Sequence, residues 1–354
     1  MPRLRRVDCA GPGLTRRRRG RGFEYLDRAG ERIDDLEVLQ RVKDLAIPPA
    51  WENVWICEHP NGHLQAVGTD DAGRKQYIYH PVWRQRRDQE KFDRMIYFAQ
   101  ALPKIRHHTN LHLDQKEMSR ERVLACAVRL LDRGFFRIGG EGYAEENETF
   151  GLATMRKKHV RFEGRRVVFE YIAKSHKERL QSVVDPAVYE VVGALKKRRG
   201  GSDELLAYKA GGRWRDVKSA DINIYLKEIS GGDYTAKDFR TWHGTVMCAQ
   251  ALAVSKEALG SKTGRKRAVS RAIQEVAHYL GNTPAVCRAS YVDPRVIDRY
   301  DSGVTIAPVL EHIAGEDYDE PEIQVVFEEA VLDLIEGNTK SPAVEKVPAA
   351  KLSA

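Results

Sequence analysis

The chain changes its hydrophobic period near Pro81, and that change limits what it can fold into. From Gly22 to His80, short β-prone runs such as Phe23-Glu-Tyr-Leu-Asp, Val54-Trp-Ile-Cys, Leu64-Gln-Ala-Val and Gln76-Tyr-Ile-Tyr79 are broken by turn signals at Asn61-Gly62 and Asp71-Ala-Gly73. Beyond Pro81, apolar residues recur at helical spacing over 90–102, 119–133 and 147–158, with charged residues between them. Residues 160–184 then read as a three-stranded meander with Lys174 at a hairpin tip, and further helices are expected over 186–197, 219–230, 236–259, 264–280 and 294–300. The expected class is α+β: a small β-rich N-terminal domain over 22–88 and a mostly helical domain over 89–310 that carries the meander.

The ends differ in charge. Of 354 residues with a formal net charge of +8, the first 310 carry 56 basic and 40 acidic side chains, a net +16, whereas 311–354 hold eleven acidic and three basic groups. A field of that sign over most of the chain favours a polyanionic partner, nucleic acid being the commonest. Residues 1–21, with Arg16-Arg-Arg-Arg-Gly-Arg21, read as a basic arm, since no apolar segment follows that would make a secretory signal. Residues 311–354 read as an acidic, partly flexible tail with one amphipathic helix over 321–335. Within the tail, 311–336 hold ten acidic groups and neither lysine nor arginine, a composition suited to weakening nonspecific DNA binding or meeting a partner. Five widely spaced cysteines, with no Cys-x-x-Cys pair, argue against a disulfide framework and a thiolate zinc site and fit a reducing compartment. Apolar runs are too short for a membrane span.

Several residues could serve phosphoryl chemistry. In-line attack on a phosphodiester builds charge on the phosphoryl oxygens and requires a proton for the departing oxygen, so fixed cations and one donor suffice. Arg137 lies in Gly134-Phe-Phe-Arg-Ile-Gly-Gly, where flanking aromatics could face its forked donors inward; the alternative is a structural arginine paired with Glu141 or Glu145. Lys174 has the reach of a hairpin-tip ammonium but is otherwise an ordinary turn lysine. Arg240 stands in Thr235-Ala-Lys-Asp-Phe-Arg-Thr-Trp-His, where Thr235 or Asp238 could cap a helix whose first turns carry the arginine, while His243 reads as a packing or hydrogen-bonding residue. Asn282 follows Gly281 at a helix stop, and Tyr291 comes nine positions later. A phenol ordinarily titrates near pH ~10, so as a nucleophile it needs cations around the phosphate; otherwise Tyr291 is a core aromatic. No phosphate loop of the Gly-x-x-x-x-Gly-Lys-Ser/Thr type, His-Glu-x-x-His pair or calcium-spaced acidic cluster occurs, and Arg106-His-His-Thr-Asn-Leu-His112 lacks adjacent acidic or thiolate partners, so no metal is expected.

In the order Arg137, Lys174, Arg240, Asn282, Tyr291, these residues resemble the catalytic set of the type IB DNA topoisomerases, in the compact branch of bacteria and poxviruses. The likeness runs from about 47 to about 304. It includes Trp51-Glu-Asn-Val-Trp-Ile-Cys, Asn61-Gly-His-Leu-Gln-Ala-Val-Gly-Thr-Asp and Gly73-Arg-Lys-Gln-Tyr-Ile-Tyr-His, which are similar to that branch's N-terminal β domain. The resemblance implies a catalytic domain of the tyrosine recombinase/type IB topoisomerase type and a monomer that closes as a clamp on double-stranded DNA. Arg74, Lys75, Gln76 and Tyr77 are then DNA contacts. It further implies that Tyr291 attacks a backbone phosphate to form a 3′-phosphotyrosyl link. Lys174, with Arg137, protonates the leaving 5′-oxygen, and Arg137, Arg240 and Asn282 stabilise the phosphoryl oxygens. Strand swivelling and resealing need no ATP, metal or small-molecule cofactor, and a cytoplasmic, nucleoid-associated setting fits.

The chain departs from the pattern twice: poxvirus enzymes have histidine where Asn282 stands, and Lys174 follows Ile172-Ala173 where bacterial relatives tend to have glycine. A tyrosine recombinase would carry histidine at the position of Lys237, and a silent DNA-architecture protein would not require all five reactive positions.

Overall fold

The structure, a computed structural model, describes residues 3–313 and 321–347. By internal contact the chain divides into two units, Met1–Phe92 and Asp93–Ala354.

The first unit is built on a five-stranded antiparallel sheet. Its elements are β1 (Leu14–Arg19), β2 (Gly22–Leu26), α1 (Leu36–Asp44), β3 (Glu52–Ile56), β4 (Leu64–Thr69) and β5 (Lys75–Tyr79), with strand order β2-β1-β3-β4-β5. Alternation places Leu14, Val54, Ile56 and Ala66 on one buried face, which α1 covers with Val42. Asp35 caps α1, its Oδ1 accepting from the amides of Glu37 at 2.8 Å and Val38 at 3.3 Å. The β4–β5 turn closes with Gly73 at φ +72°, a left-handed position that glycine adopts without strain.

One expectation fails here. Leu14–Arg19, assigned to a basic arm by charge, is β1, paired with both β2 and β3. The Arg16 guanidinium is half-buried over the Phe23 ring, 4.1 Å from its centroid, and donates to the carbonyls of Ile47, Pro48 and Trp51 at 3.3, 3.0 and 2.5 Å. Part of the arm's charge is therefore committed to holding the loop before β3.

Helix α2 (Pro81–Leu113) runs on from β5. The second unit continues with α3 (Arg120–Gly134), α4 (Glu141–Asn147), β6 (Val160–Glu163), β7 (Arg166–Ala173), β8 (Lys177–Val184), α5 (Pro186–Lys197), β9 (Ala207–Ala210), β10 (Arg213–Asp216) and α6 (Ser219–Ser230). It then adds α7 (Ala236–Val254), α8 (Lys262–Leu280), α9 (Pro284–Ser290), α10 (Pro294–Asp301), β11 (Val304–Thr305), α11 (Ala307–His312), α12 (Pro321–Glu336) and β12 (Glu345–Lys346). Strands β6-β7-β8 form the expected antiparallel meander. Helices α3 and α7 are buried along most of their length; Leu124, Leu130, Phe239 and Trp242 are fully enclosed.

One further expectation is corrected. A helix over 147–158 does not form. Only the short turns Leu152–Thr154 and Lys157–His159 wind there, because the backbone is drawn into bonds with its neighbours: Phe150 N donates to Ile172 O at 2.7 Å, Leu152 N to Arg137 O at 2.8 Å and Ala153 N to Ile138 O at 2.7 Å. In the acidic tail, the helix expected over 321–335 forms as α12. Phe327, Ala330, Val331, Leu334 and Ile335 of α12 are buried in the main core, and β12 pairs with β11. The acidic stretch 314–320 and the end of the chain, 348–354, lie outside the described residues.

Candidate active site

Arg137 is placed by the exit from α3. Phe135 takes the left-handed conformation at φ +56°, ψ 25° and ends the helix, so the chain emerges extended through Arg137 and Ile138. That segment lies against residues 149–154, where Gly139 (φ +79°) and Gly151 touch backbone to backbone. A Cβ on Gly151 would fall 2.4 Å from Gly139 Cα, so no other residue fits.

Arg240 comes from the second turn of α7. Thr235 is the N-cap, its amide donating to Asp238 Oδ2 at 2.7 Å, and Asp238 is held in turn by Arg94 at 2.8 Å. From there the Arg240 side chain, 4% exposed, donates to Phe135 O at 3.0 Å and Leu280 O at 2.8 Å. Burial and the neighbouring Arg137 pull its pKa down to about 10, against the attraction of Tyr291, so it stays cationic at neutral pH.

The second of these acceptors belongs to the C-terminal end of α8. Gly281 (φ +63°) closes that helix in a Schellman turn, with Asn282 N donating to Ala277 O at 3.0 Å and Gly281 N to His278 O at 3.1 Å. The last carbonyls, which carry the negative end of the helix dipole, take three guanidiniums. Arg137 donates to Gly281 O at 3.1 Å and also to Asn282 Oδ1, Arg240 donates to Leu280 O, and Arg179 donates to His278 O at 3.0 Å and to Tyr279 O. Arg179 on β8 was not anticipated from the sequence. It stands in an ordinary run of charged residues, and only the register of β8 against β7, Tyr171 opposite Arg179, brings it to this helix end. Burial and Arg137 lower its pKa. Of the alternative partners for Arg137, Glu141 accepts instead from Ser219 N at 2.7 Å, and the Glu145 side chain lies outside the described residues.

Tyr291 ends α9 with φ −132°, its amide bonded to Cys287 O at 2.9 Å. Gly244 of α7 admits the Tyr291 backbone, since a Cβ there would fall 2.6 Å from Tyr291 O. The Arg240 Cζ lies 5.2 Å from the centroid of the Tyr291 ring, within cation–π range. Lys174 is exposed at the β7–β8 tip, and the positive φ of the loop falls on Ser175 and His176, 65° and 53°. Ala173 before it is extended and buried, so a glycine is not needed there.

A cleft of about 250 Å³ brings these groups together, lined by Arg137, Lys174, Arg240 and Tyr291, with Lys237, Thr149 and Phe150 completing the wall. Asn282 reaches it through its bond to Arg137. Four of the five expected residues thus line one cavity and the fifth holds one of them. A second cavity, about 780 Å³, shares Phe150 and is lined by Arg156, Lys158, His159, Arg161 and Arg179. Their clustering follows from the failed helix at 147–158 and was not legible beforehand. Arg156 Cζ lies 5.1 Å from the Phe150 centroid.

The expected contacts in the first unit divide by strand parity. Lys75, Tyr77 and Tyr79 share the exposed face of β5, an edge strand, with Tyr77 and Tyr79 stacked at 6.1 Å. Gln76 turns the other way and donates to Asp70 Oδ2 at 2.9 Å, and Arg74 pairs with the same carboxylate at 2.8 Å. Asp70 is accordingly drawn down to about 2.

Residues 80–306 match the family model of the eukaryotic DNA topoisomerase I catalytic core, and residues 22–70 that of the bacterial DNA topoisomerase IB N-terminal domain. The chain is 29% identical over 297 residues to DNA topoisomerase 1B of Acanthamoeba polyphaga mimivirus, covering 82% of this chain and 88% of that protein. To DNA topoisomerase 1B of Vaccinia virus (strain Copenhagen) it is 24% identical over 267 residues, covering 74% and 81%. No described helix is long and apolar enough to cross a membrane. With its match to the catalytic core spanning well over half its length, the chain belongs to the type IB DNA topoisomerases, enzymes that act on duplex DNA.

Proposed function

We propose that Tyr291 is the nucleophile, and that Arg137, Lys174, Arg240 and Asn282 complete the catalytic set of an enzyme that relaxes supercoils of both signs without ATP. The observation that carries this reading is the shared cleft: three of the cations and the phenol line one cavity of about 250 Å³, a volume suited to a phosphodiester and its flanking sugars. The Tyr291 phenol gives up its proton to solvent as Oη bonds to phosphorus and the bond to the 5′-oxygen breaks, leaving a 3′-phosphotyrosyl ester; Lys174, exposed at its hairpin tip, delivers a proton to the 5′-oxygen. Arg137 and Arg240 turn from the α8 carbonyls to the phosphoryl oxygens, where forked donors match two of them. The free 5′-end swivels, then attacks back with the proton flow reversed. The chain works as a monomeric clamp on the duplex, with Lys75 and Tyr77 as contacts in the first unit and Arg74 and Gln76 shaping the turn behind them.

The test is relaxation of negatively and positively supercoiled plasmid in EDTA without ATP, beside the Tyr291→Phe chain. Relaxation of both signs by the wild type alone is expected. Activity that persists in the variant would move the nucleophile elsewhere.

A further inference from the structure

Behind the catalytic arginines, on the far side of Phe135 and Tyr279, lies a cavity of about 420 Å³ whose inner wall is polar: Asp132 of α3, His243 of α7 and Glu328 of α12. We propose that these three side chains bind a divalent transition-metal ion of the zinc type, which fastens α12 to the helix that carries Arg240.

One ligand atom from each residue lies within 4.8 Å of the others, and all three residues are buried, at 5%, 4% and 5% exposure. Bonds of about 2.0–2.2 Å to an ion at the centre require donor atoms roughly 3.4 Å apart, so small side-chain rotations close the site. The independent sign of a ligand is His243. Neither ring nitrogen has a hydrogen-bond partner among the described residues, and Nε2 stands 3.5 Å from Asp132 Oδ1, outside hydrogen-bond geometry. A buried imidazole must place both a donor and an acceptor, and nearly all such groups in native proteins find a partner.

Arg106 orients both carboxylates. Arg106 donates to Asp132 at 2.8 and 2.9 Å and to Glu328 at 2.7 and 2.8 Å, and Gln324 donates to Glu328 Oε1 at 3.0 Å. Both carboxylates are engaged by that one guanidinium, and Arg133 and Arg166 also line the cavity, so the ion would enter a field of mixed charge. Arg106 does not exclude the ion, since each carboxylate keeps lone pairs beyond those it uses, and a guanidinium behind metal-binding carboxylates orients them. One imidazole and two carboxylates suit zinc or manganese, with water from the cavity filling the remaining positions.

The ion's work would be structural, for the cleavage and resealing chemistry requires none. His243 stands one turn beyond Arg240, and its ring packs edge-on against Phe135 at 5.1 Å, whose carbonyl receives Arg240. Fixing His243 therefore fixes the socket of a catalytic arginine, and it recruits the acidic tail into the core.

The test titrates the metal-stripped full chain with Co²⁺, read by its visible d–d absorption, and with Zn²⁺, read by calorimetry and by melting temperature. One equivalent of tight binding is expected, with a rise of several degrees in the wild type. His243→Phe, which keeps the packing against Phe135, should weaken binding about 100-fold or more and abolish the rise. Glu328→Gln, which keeps one of the two acceptors for Arg106, should weaken it less. His108→Gln on α2 should change nothing. Absence of binding, or binding that both site variants leave intact, overturns the proposal and assigns His243 to a direct contact with Asp132. Tyr291→Phe should bind the ion like the wild type, which separates this test from that of the nucleophile.

Discussion

The two units hold their cations in opposite ways. In the first, Lys75 stands in solvent on an edge strand beside two stacked tyrosines, backed by a core of Leu14, Val42, Val54, Ile56 and Ala66. In the second, Arg240 is buried and bonded to two carbonyls before any phosphate arrives, and Arg137 and Arg179 share the same helix end. Exposed side chains can adapt to a backbone whose position varies, and buried ones cannot. On the mechanism proposed above, the contrast would separate gripping from chemistry: the sheet would supply adjustable contacts, and the α8 terminus would hold Arg137 and Arg240 together until phosphoryl oxygens replace its carbonyls.

Substitutions can break that contrast, beginning with the largest effect. Arg240→Ala should lower the single-turnover cleavage rate by about 10²–10³ while changing DNA affinity little, as expected for a donor that acts on transition-state charge. A comparable fall in affinity would mean that Arg240 grips and does not catalyse.

Gly281→Ala tests the cradle itself. It forces a left-handed φ of +63° on alanine and sets a Cβ 3.3 Å from the Arg179 guanidinium, so it should destabilise the second unit by about 1–2 kcal/mol and slow cleavage roughly tenfold. Thermal melts and cleavage rates together check this, and an unchanged rate in a destabilised chain would uncouple the helix end from the chemistry.

Crowding of charge around the second cavity should show in acid. Burial, with Lys158 and Arg156, holds His159 down from 6.5 to about 4. The unfolded chain takes up a proton below pH 6.5 that the folded chain refuses, so this contribution to stability is full above 6.5, declines as pH falls and is gone below about 4. His159→Phe, which preserves the stack on Phe150, should flatten the fall in melting temperature across that window.

The smallest effects belong to the sheet. Lys75→Ala should reduce the slope of log affinity against log salt by about 0.9, one phosphate's worth, whereas Gln76→Ala, on the opposite face, should leave the slope unchanged. Equal slopes in the two would remove Lys75 from the contact face.

Much of this architecture was legible. The period change at Pro81, the meander with Lys174 at its tip and the Gly281 stop are local signals, and the structure carries all three. The order of Arg137, Lys174, Arg240, Asn282 and Tyr291 identified the family by its chemistry. What escaped was set by distant partners. Phe150, Leu152 and Met155 have helical spacing, but the backbone bonds of Phe150 to β7, of Leu152 to the Arg137 segment and of Met155 to Leu205 override it. Arg16 reads as one more basic residue until the carbonyls of Ile47, Pro48 and Trp51 are in place, and Arg179 until β8 is in register. Charged residues are the hardest to read in a sequence, because a buried one and a solvated one are spelled the same way.

The three guanidiniums on the last carbonyls of α8 also bear on the entropy of loading. In the free protein they immobilise the turn that leads through Asn282 to Tyr291. Were phosphate oxygens to claim Arg137 and Arg240 as proposed, the carbonyls of Leu280 and Gly281 would pass to water, and the turn would gain motion at the moment the substrate loses it. Ordering of the DNA would thus be offset in part by loosening of the protein, and amide exchange over residues 281–291 would quicken, not slow, when the duplex is bound.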